Sequence, residues 1–465
     1  TFIRDWWIYR QMASAERFEE EGDLAVRHLY NKRSSKNHRR LSLRLMVRRD
    51  PDLFSCFFPI ILVTPNVCSN LFGGQVGYFD LALFDESSQL RLEDTLPAIL
   101  KGQQKIIAGD RHQMPPSNYF NRIFDGELDD EDQWKEEEAF KYELEEALLA
   151  CESLLDFGMA CQFQPYFLDF HYRSRHPYLI DFSNTAFYGG RLQALPNRKA
   201  YRPISFFQVD GIYHQNINKQ EIEQVIKILR DHIHPGADGR LPTVGIATLN
   251  ISQRNQIKRA LIDEAQAEGQ EAFANKLSQL ENDGLFIKNL ENIQGDEKDI
   301  IILSTTYGPQ KDGRFYQRFG PLNHQKGYKL LNVIITRARM QLFVCTSIPP
   351  SIYLGYASLL TELGNHRKAV FFAYLAYARA VSEGDDAARK AVLLSLRQST
   401  KSPRPGFAED ATEDTTFIEE VWKEVHPHFP EGQLSKHRSF AGYQNDLLFD
   451  PAIANWPAVD RKRVV

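Results

Sequence analysis

Short, nearly continuous apolar runs recur along the chain. Each ends abruptly in polar or turn residues and is followed by a stretch of helical length. Phe79–Phe84 and Lys105–Ala108 form the first clear pair, with room for one helical crossover between them. Apolar runs joined in this way predict buried parallel strands of an α/β sheet. Ile60–Val63 reads as a further buried strand just before them, closed by a Thr-Pro turn. From residue 165 the alternation resumes: Phe167–Phe170 is strand-like, a helix begins near Pro177, and Tyr188-Gly189-Gly190 closes it. Thr243–Thr248 precedes a helix starting near Gln253, and Leu285–Lys288, Ile300–Leu303 and Leu342–Cys345 are apolar strands, with Leu330–Val333 opening the last apolar stretch. The repetition predicts a second parallel-sheet domain over 165–350.

The ends of the chain follow other patterns. Residues 1–53 read as a basic helical arm, with Trp6, Trp7, Tyr9, Met12 and Phe18 along a partial apolar face. Residues 54–164 then form the visible part of a first sheet domain. Tyr353 to Ser399 carries Ala, Leu and Tyr at helical spacing, the pattern of a packed helical hairpin over 351–400. A Pro-rich linker after Lys401 leads into a small α/β segment, 401–465, with a helix at Phe417–His426 and a hairpin whose second strand holds Tyr443–Phe449.

Charge changes this picture locally rather than globally. The formal net charge is −5, yet Arg27 to Arg49 carries nine Lys/Arg and no acid, whereas Asp125 to Glu146 carries twelve acids against two lysines. The basic run, including Arg39 and Arg40, suits an arm that tracks nucleic-acid phosphates, or equally a solvated basic helix. The acidic run reads as a surface insertion, because a flexible polar stretch does not pre-organise carboxylates for a metal. Five cysteines lie far apart with no C-x-x-C pair, which points to a reducing, cytoplasmic setting and away from structural zinc. No apolar run is long enough to span a membrane.

Candidate chemistry sits at the ends of the predicted strands. Asp85 and Glu86 follow Phe79–Phe84 directly. Ligands of open α/β sheets collect at the carboxyl ends of the strands, and two adjacent acids there suit a Mg-nucleotide: one holds the metal, the next orients a water. A solvated acidic turn has the same composition. Thr64, with Pro65 after it, lies where a side-chain hydroxyl and free backbone N–H groups can hold a phosphate. Arg173 falls just past a strand, where a planar, permanently charged donor can reach a phosphate.

Five blocks in order, spread over about 260 residues, carry a resemblance. They are Asp85-Glu86-Ser87-Ser88-Gln89; Gly109-Asp110 with Gln113 and Pro115-Pro116; Tyr172-Arg173-Ser174-Arg175-His176-Pro177; Gln294-Gly295-Asp296-Glu297-Lys298-Asp299; and Leu331 to Arg339. They resemble motifs II to VI of superfamily 1 helicases, specifically the 5′-to-3′ branch that includes the nonsense-mediated-decay helicase. The resemblance implies two RecA-like domains, the first incomplete, with ATP and Mg²⁺ between them and single-stranded nucleic acid across the top. Asp85 would hold Mg²⁺, Glu86 polarise the attacking water, Gln113 sense the γ-phosphate, Arg173 and Arg337 act as arginine fingers, and Glu297 touch the ribose. Arg339 and Gln294 also have plain structural readings, as an ion-pair partner and the brace of a turn.

One departure stands out: no G-x-x-x-x-G-K-[ST] occurs in the chain. The family's phosphate loop precedes motif II, so the expectation is a fragment, a split gene product or a member without hydrolysis. The C-terminal segment resembles, on few residues, the Vsr-like endonuclease domain of some bacterial helicases of this type. That resemblance implies a partial restriction-endonuclease-like domain with Asp446 as a metal ligand. Three functions follow: a helicase or translocase motor on single strands, DNA rather than RNA by the nuclease-like tail; a nucleic-acid-binding chain without ATP turnover; or a helicase-linked Mg-dependent nuclease.

Overall fold

The computed structural model describes residues 2–21, 42–116, 151–161, 163–194, 201–290, 293, 295–399, 434–440 and 443–449. The first unit holds two strands, β1 (Phe79–Phe84) and β2 (Gly102–Ile107), joined by the helix Leu92–Ile99 and paired in parallel from Phe79↔Gly102 to Phe84↔Ile107. The opening expectation of two parallel strands with a helical crossover is met, but not that of their burial: Leu81, Leu83 and Ile106 are exposed on the face that the helices leave open. Helices Leu43–Arg49, Pro51–Phe57, Pro65–Phe72 and Leu154–Ala160 gather around one face of this pair. Their core centres on Met46, Leu53, Phe54, Phe72, Phe84 and Leu154, with Phe72 packed edge-on against Phe79. Lys101, nearly buried, donates from Nζ to the Gly73 and Gln75 carbonyls, so its charge meets backbone acceptors rather than water.

Ile60–Val63 departs from expectation. It is not a strand, and Ile60 and Leu62 are 82% and 92% exposed. The Thr-Pro pair does not end a strand but starts a helix. Thr64 is the N-cap of Pro65–Phe72, its Oγ1 accepting from the Val67 N–H (3.4 Å), and Pro65 takes the first turn, where its missing N–H costs nothing.

The second unit is built on five parallel strands: β5 (Ile204–Gln208), β8 (Val244–Thr248), β9 (Phe286–Asn289), β10 (Lys298–Ser304) and β11 (Ala338–Thr346). Their order in the sheet is β5-β11-β10-β8-β9. Pleating divides them between two cores. Ile301, Leu303, Leu342 and Val344 face one, with helices Tyr328–Ile335 and Arg367–Glu383; Ile300, Ile302, Phe343 and Cys345 face the other, with helices Lys219–Asp231, Ile251–Gln266 and Glu271–Asn282. Burial on both faces is why β8 and β10 read as unbroken apolar runs. At Gly245 of β8, a Cβ would lie 2.3 Å from the Phe286 ring, so only glycine lets β9 pack there.

Leu330–Val333 is helical, within Tyr328–Ile335, and Phe167–Phe170 contributes only a two-residue strand, β3 (Phe170–His171), paired with β4 (Gln193–Ala194); β6 (Tyr213–His214) and β7 (Ile217–Asn218) form a short antiparallel pair. The segment 351–399 contains three main helices, Tyr356–Leu363, Arg367–Glu383 and Asp386–Ser399. Its Ala/aromatic stripe is packing: residues from Ala369 to Ala378 are buried against the second sheet. The strands Leu434–Phe440 and Tyr443–Phe449 pair as an antiparallel hairpin, as expected; Asp446 lies on its second strand with its side chain outside the described part. The expected helix Phe417–His426, the acidic run 125–146, Arg39, Arg40 and Gln294 also lie outside the described residues. Among the described residues no helix is long and apolar enough to cross a membrane.

Glu221 pins the carboxyl edge of the second sheet. Wholly buried in the first turn of Lys219–Asp231, it accepts from Ser304 Oγ (2.6 Å), the Thr306 N–H (2.7 Å) and the Ser347 N–H (2.8 Å). Burial, only partly offset by these donors, pushes its pKa up to about 7. A folded-state pKa above the unfolded one means that the contribution to stability is full below about pH 4.5 and is lost as pH rises through about 7, a change on the order of 3 kcal/mol. Glu221→Gln should lower the thermal midpoint and flatten its decline between pH 5 and 7. Parallel pH–melting curves for the two proteins would contradict this account.

Candidate functional site

The carboxyl ends of β1 and β2 bring two turns together. Asp85 and Glu86 leave β1, and Glu86 takes the left-handed conformation (φ 50°, ψ 39°), which costs a side-chain-bearing residue roughly 1–2 kcal/mol. The turn is held by the Glu86 N–H donating to Asp85 Oδ1 (2.9 Å) and by Gln89 Nε2 donating to Glu86 Oε2 (3.0 Å). Both carboxylates are exposed, whereas Ser87 and Ser88 behind them are buried. After β2 the chain passes so close that a Cβ on Gly109 would sit 2.6 Å from Ser87 Oγ. The glycine lets the second turn lie against the first.

Asp110 organises that second turn. Its Oδ1 accepts from the His112 N–H (2.9 Å) and its Oδ2 from Gln113 Nε2 (3.2 Å). Oδ2 also accepts from the hydroxyl of Tyr188 in the second unit (2.7 Å). The His112 ring lies between Phe187, Tyr188 and Tyr328, and burial drops its pKa to about 4, so it stays neutral near pH 7.

The second unit answers from the amino ends of its strands. Arg337 lies between the helix Tyr328–Ile335 and β11, only 3% exposed. Its Nη2 donates to Gln113 Oε1 (3.1 Å), and its buried Nε has no acceptor among the described residues. Burial lowers its pKa, and the neighbouring Arg173 lowers it further, against Glu86 and Glu297, which raise it. A guanidinium in this position costs folding energy that one neutral acceptor does not return.

Arg173, just past β3, donates from Nε to Glu297 Oε2 (2.6 Å). Arg339 approaches Glu297 Oε1 (3.7 Å) and bonds Asp299 Oδ1 (2.8 Å). Burial raises the Asp299 pKa, but hydrogen bonds from Thr243 and the pairing with Arg339 outweigh it and hold it below the usual range. Arg339 is thus an ion-pair residue, as its plain reading has it. Arg173, Glu297 and Arg339 form a charged row beside Arg337.

Of the sequence-derived candidates, Asp85, Glu86, Gln113, Arg337, Arg173 and Glu297 converge on this junction. Thr64 is taken up in capping its helix, and Pro65 lines a cavity of about 180 Å³ with Gln89, Arg91 and Pro116; neither has a hydrogen bond to the junction residues among the described ones. Tyr188 and Asn332 were missed as site residues. Tyr188 read only as the end of a helix and Asn332 only as a letter within a motif, and neither carries a local signal of its partner. Among the described residues no group of three or more His, Cys, Asp or Glu could hold a metal.

At this junction of two parallel α/β units, carboxylates of the first unit stand on one side and arginines of the second on the other, with Arg337 bonded to Gln113 and near Glu86. Residues 150–348 match an AAA domain family. The chain is 31% identical over 339 residues to the uncharacterized ATP-dependent helicase MG140 of Mycoplasma genitalium, covering 71% of this chain and 28% of that protein. It is 25% identical over 322 residues to the helicase SEN1 of Saccharomyces cerevisiae, covering 64% of this chain and 13% of that one. The PRRSV helicase structure aligns at 14% identity over 57% of this chain and 34% of that one, with a TM-score of 0.26. The chain therefore has ATP-dependent helicases as homologues, and it spans about 28% of the length of the first of them.

The under-partnered Arg337 yields a stability prediction. Arg337→Met should raise the thermal midpoint, by about 2 °C or more, because it removes a buried charge and keeps the volume. A lower midpoint for Arg337→Met would show that the guanidinium supports the fold.

Proposed function

We propose that this chain carries the motor of a superfamily 1 helicase of the 5′-to-3′ branch, coupling ATP hydrolysis to movement along single-stranded nucleic acid, DNA in preference to RNA. The observation that carries the reading is the hydrogen bond from Arg337 of the second unit to Gln113 of the first, beside the Asp85–Glu86 turn. A cation buried with one neutral partner suits a cleft that receives an anion, and carboxylates one turn away suit a metal-chelated polyphosphate.

The residues present fit Mg²⁺ and ATP in part. Asp85 is an exposed carboxylate using Oδ1 on its own turn, and Mg²⁺ takes one or two carboxylates together with phosphate and water. Bound there, Mg²⁺ would draw charge from the phosphate oxygens. Glu86, set outward by its left-handed backbone, accepts the proton of the attacking water. Gln113, whose Nε2 donates to Asp110 and whose Oε1 accepts from Arg337, offers its second Nε2–H to the terminal phosphate. Arg337 and Arg173 neutralise the charge that develops on the transferred group, and the buried Arg337 acts in a low dielectric, where it works harder than in water. Glu297, already ion-paired with Arg173, is assigned to the ribose. Because the arginines and carboxylates belong to different units, phosphate binding draws the units together and its loss releases them. Thr64 and Pro65, with Arg39 and Arg40 of the basic arm, are assigned to the nucleic-acid backbone.

ATP hydrolysis by the full-length protein, with and without single-stranded DNA or RNA, tests this reading. Stimulation by a single strand is expected, with Glu86→Gln lowering turnover at least about a hundredfold. Strand binding without any turnover would favour a nucleic-acid-binding module instead.

A further inference from the structure

A continuous, directional chain of hydrogen bonds runs from Asn332 to Arg337 by way of the first unit. Asn332, 1% exposed on the helix Tyr328–Ile335, donates from Nδ2 to the Tyr188 hydroxyl (2.9 Å) and to the His112 carbonyl (2.9 Å). Because the Tyr188 oxygen accepts from Asn332, its single proton is directed to Asp110 Oδ2 (2.7 Å). Asp110 can only accept, so the end of Gln113 that faces it is Nε2 (3.2 Å), and the end left for Arg337 is the carbonyl (3.1 Å). Were Asp110 to turn away, the Gln113 amide could flip and set its own donors against the guanidinium.

We propose that Tyr188 is the positioning residue of the phosphate-sensing turn: acting through Asp110, it fixes which end of Gln113 meets Arg337 and locks that turn to the second unit. The proposal rests on the ATP-cleft reading and adds to it the part that joins the two units. Tyr188 is itself firmly placed. The chain reverses just after it through Gly189 and Gly190, both at positive φ, where a side chain would be strained. Asn184 closes the reversal, donating to the Leu192 carbonyl (2.9 Å) and accepting the Leu192 N–H (2.9 Å). Burial and the neighbouring Asp110 raise the Tyr188 pKa well above its ordinary value, so the hydroxyl keeps the proton that Asp110 receives. The same helix that carries Asn332 leads into Arg337, so the turn bearing Gln113 is held to one element at two points. Motion of that helix relative to the first sheet must therefore move Gln113.

Tyr188→Phe removes the hydroxyl and keeps the ring, and it is the discriminating variant. Two readouts are needed in the full-length protein: amide hydrogen exchange across residues 108–116, and steady-state ATP hydrolysis with a saturating single strand. Exchange in that turn should rise at least about fivefold. The kcat should fall about tenfold with KM for ATP changed less than twofold, because Gln113 is misaimed rather than removed. Asp110→Asn should reproduce both effects, and the double variant should add little to either single one, since the two groups act as one unit. A merely structural hydroxyl would raise exchange and leave the kcat-to-KM split untouched. An unchanged kcat, unchanged exchange, or additive losses in the double variant would each overturn the proposal. If the wild-type protein hydrolyses no ATP, the cleft reading falls, and the exchange measurement with its double-variant comparison alone judges the link between the units.

Discussion

The candidate site turns on a guanidinium placed where water cannot serve it. Arg337 is buried at the amino edge of the second sheet, and its partner, Gln113, belongs to the first unit. Neither unit satisfies this arginine alone. The neighbouring groups are arranged around that constraint. Arg173 is drawn to Glu297, and Arg339 to Asp299 and Glu297, so that of these three arginines Arg337 is the one bonded to the first unit. Asp110 supplies the fixed negative end that keeps Gln113 turned toward it. A buried charge with so little internal compensation is poor architecture and good chemistry, because an incoming anion is worth most where the dielectric is low.

The two units support this junction in different ways. The second is a five-stranded parallel sheet covered on both faces, with Ile301 and Leu303 in one core and Ile300 and Ile302 in the other. Such a sheet can carry a strained, polar edge without losing its shape. Glu221 is buried at its far edge, and Thr306 beside it has a positive φ (70°) that β-branched residues rarely adopt. The described part of the first unit is slighter: β1 and β2 are covered on one face by short helices, and Leu81 and Leu83 remain exposed on the other. The first unit offers turns rather than bulk, and Gly109 brings its two turns into contact.

The strands β8, β10 and β11 were legible because burial on both faces leaves few polar positions to blur them, whereas β1 was legible from its apolar run alone, with Leu81 and Leu83 exposed. The convergence of Asp85, Glu86, Gln113 and Arg337 followed from the motif resemblance; of these four only the Asp85–Glu86 pair was also legible from its strand end. Ile60–Val63 misled for a physical reason: four apolar residues in a row satisfy a strand's composition without supplying a ladder partner, and the Thr-Pro pair that closes the run is also a strong helix start. Leu330–Val333, left unassigned by its pattern, is a buried helical segment whose apolar run is indistinguishable from a strand's. β5 was not anticipated, and Ile204–Gln208 keeps its identity only through pairing with β11. Tyr188 and Asn332 were beyond sequence reasoning. Each is separated from Asp110 and His112 by scores of residues, and what joins them is the docking of two units.

The central claim, that arginines of one unit and carboxylates of the other enclose a nucleotide's phosphates, is met most directly by trapping with ADP and aluminium fluoride in Mg²⁺, a mimic of the transferred phosphoryl group. Wild-type full-length protein should retain the trapped nucleotide tightly, whereas Arg337→Ala should retain ADP yet fail to form the fluoride complex. Equal trapping by the two proteins would contradict the account.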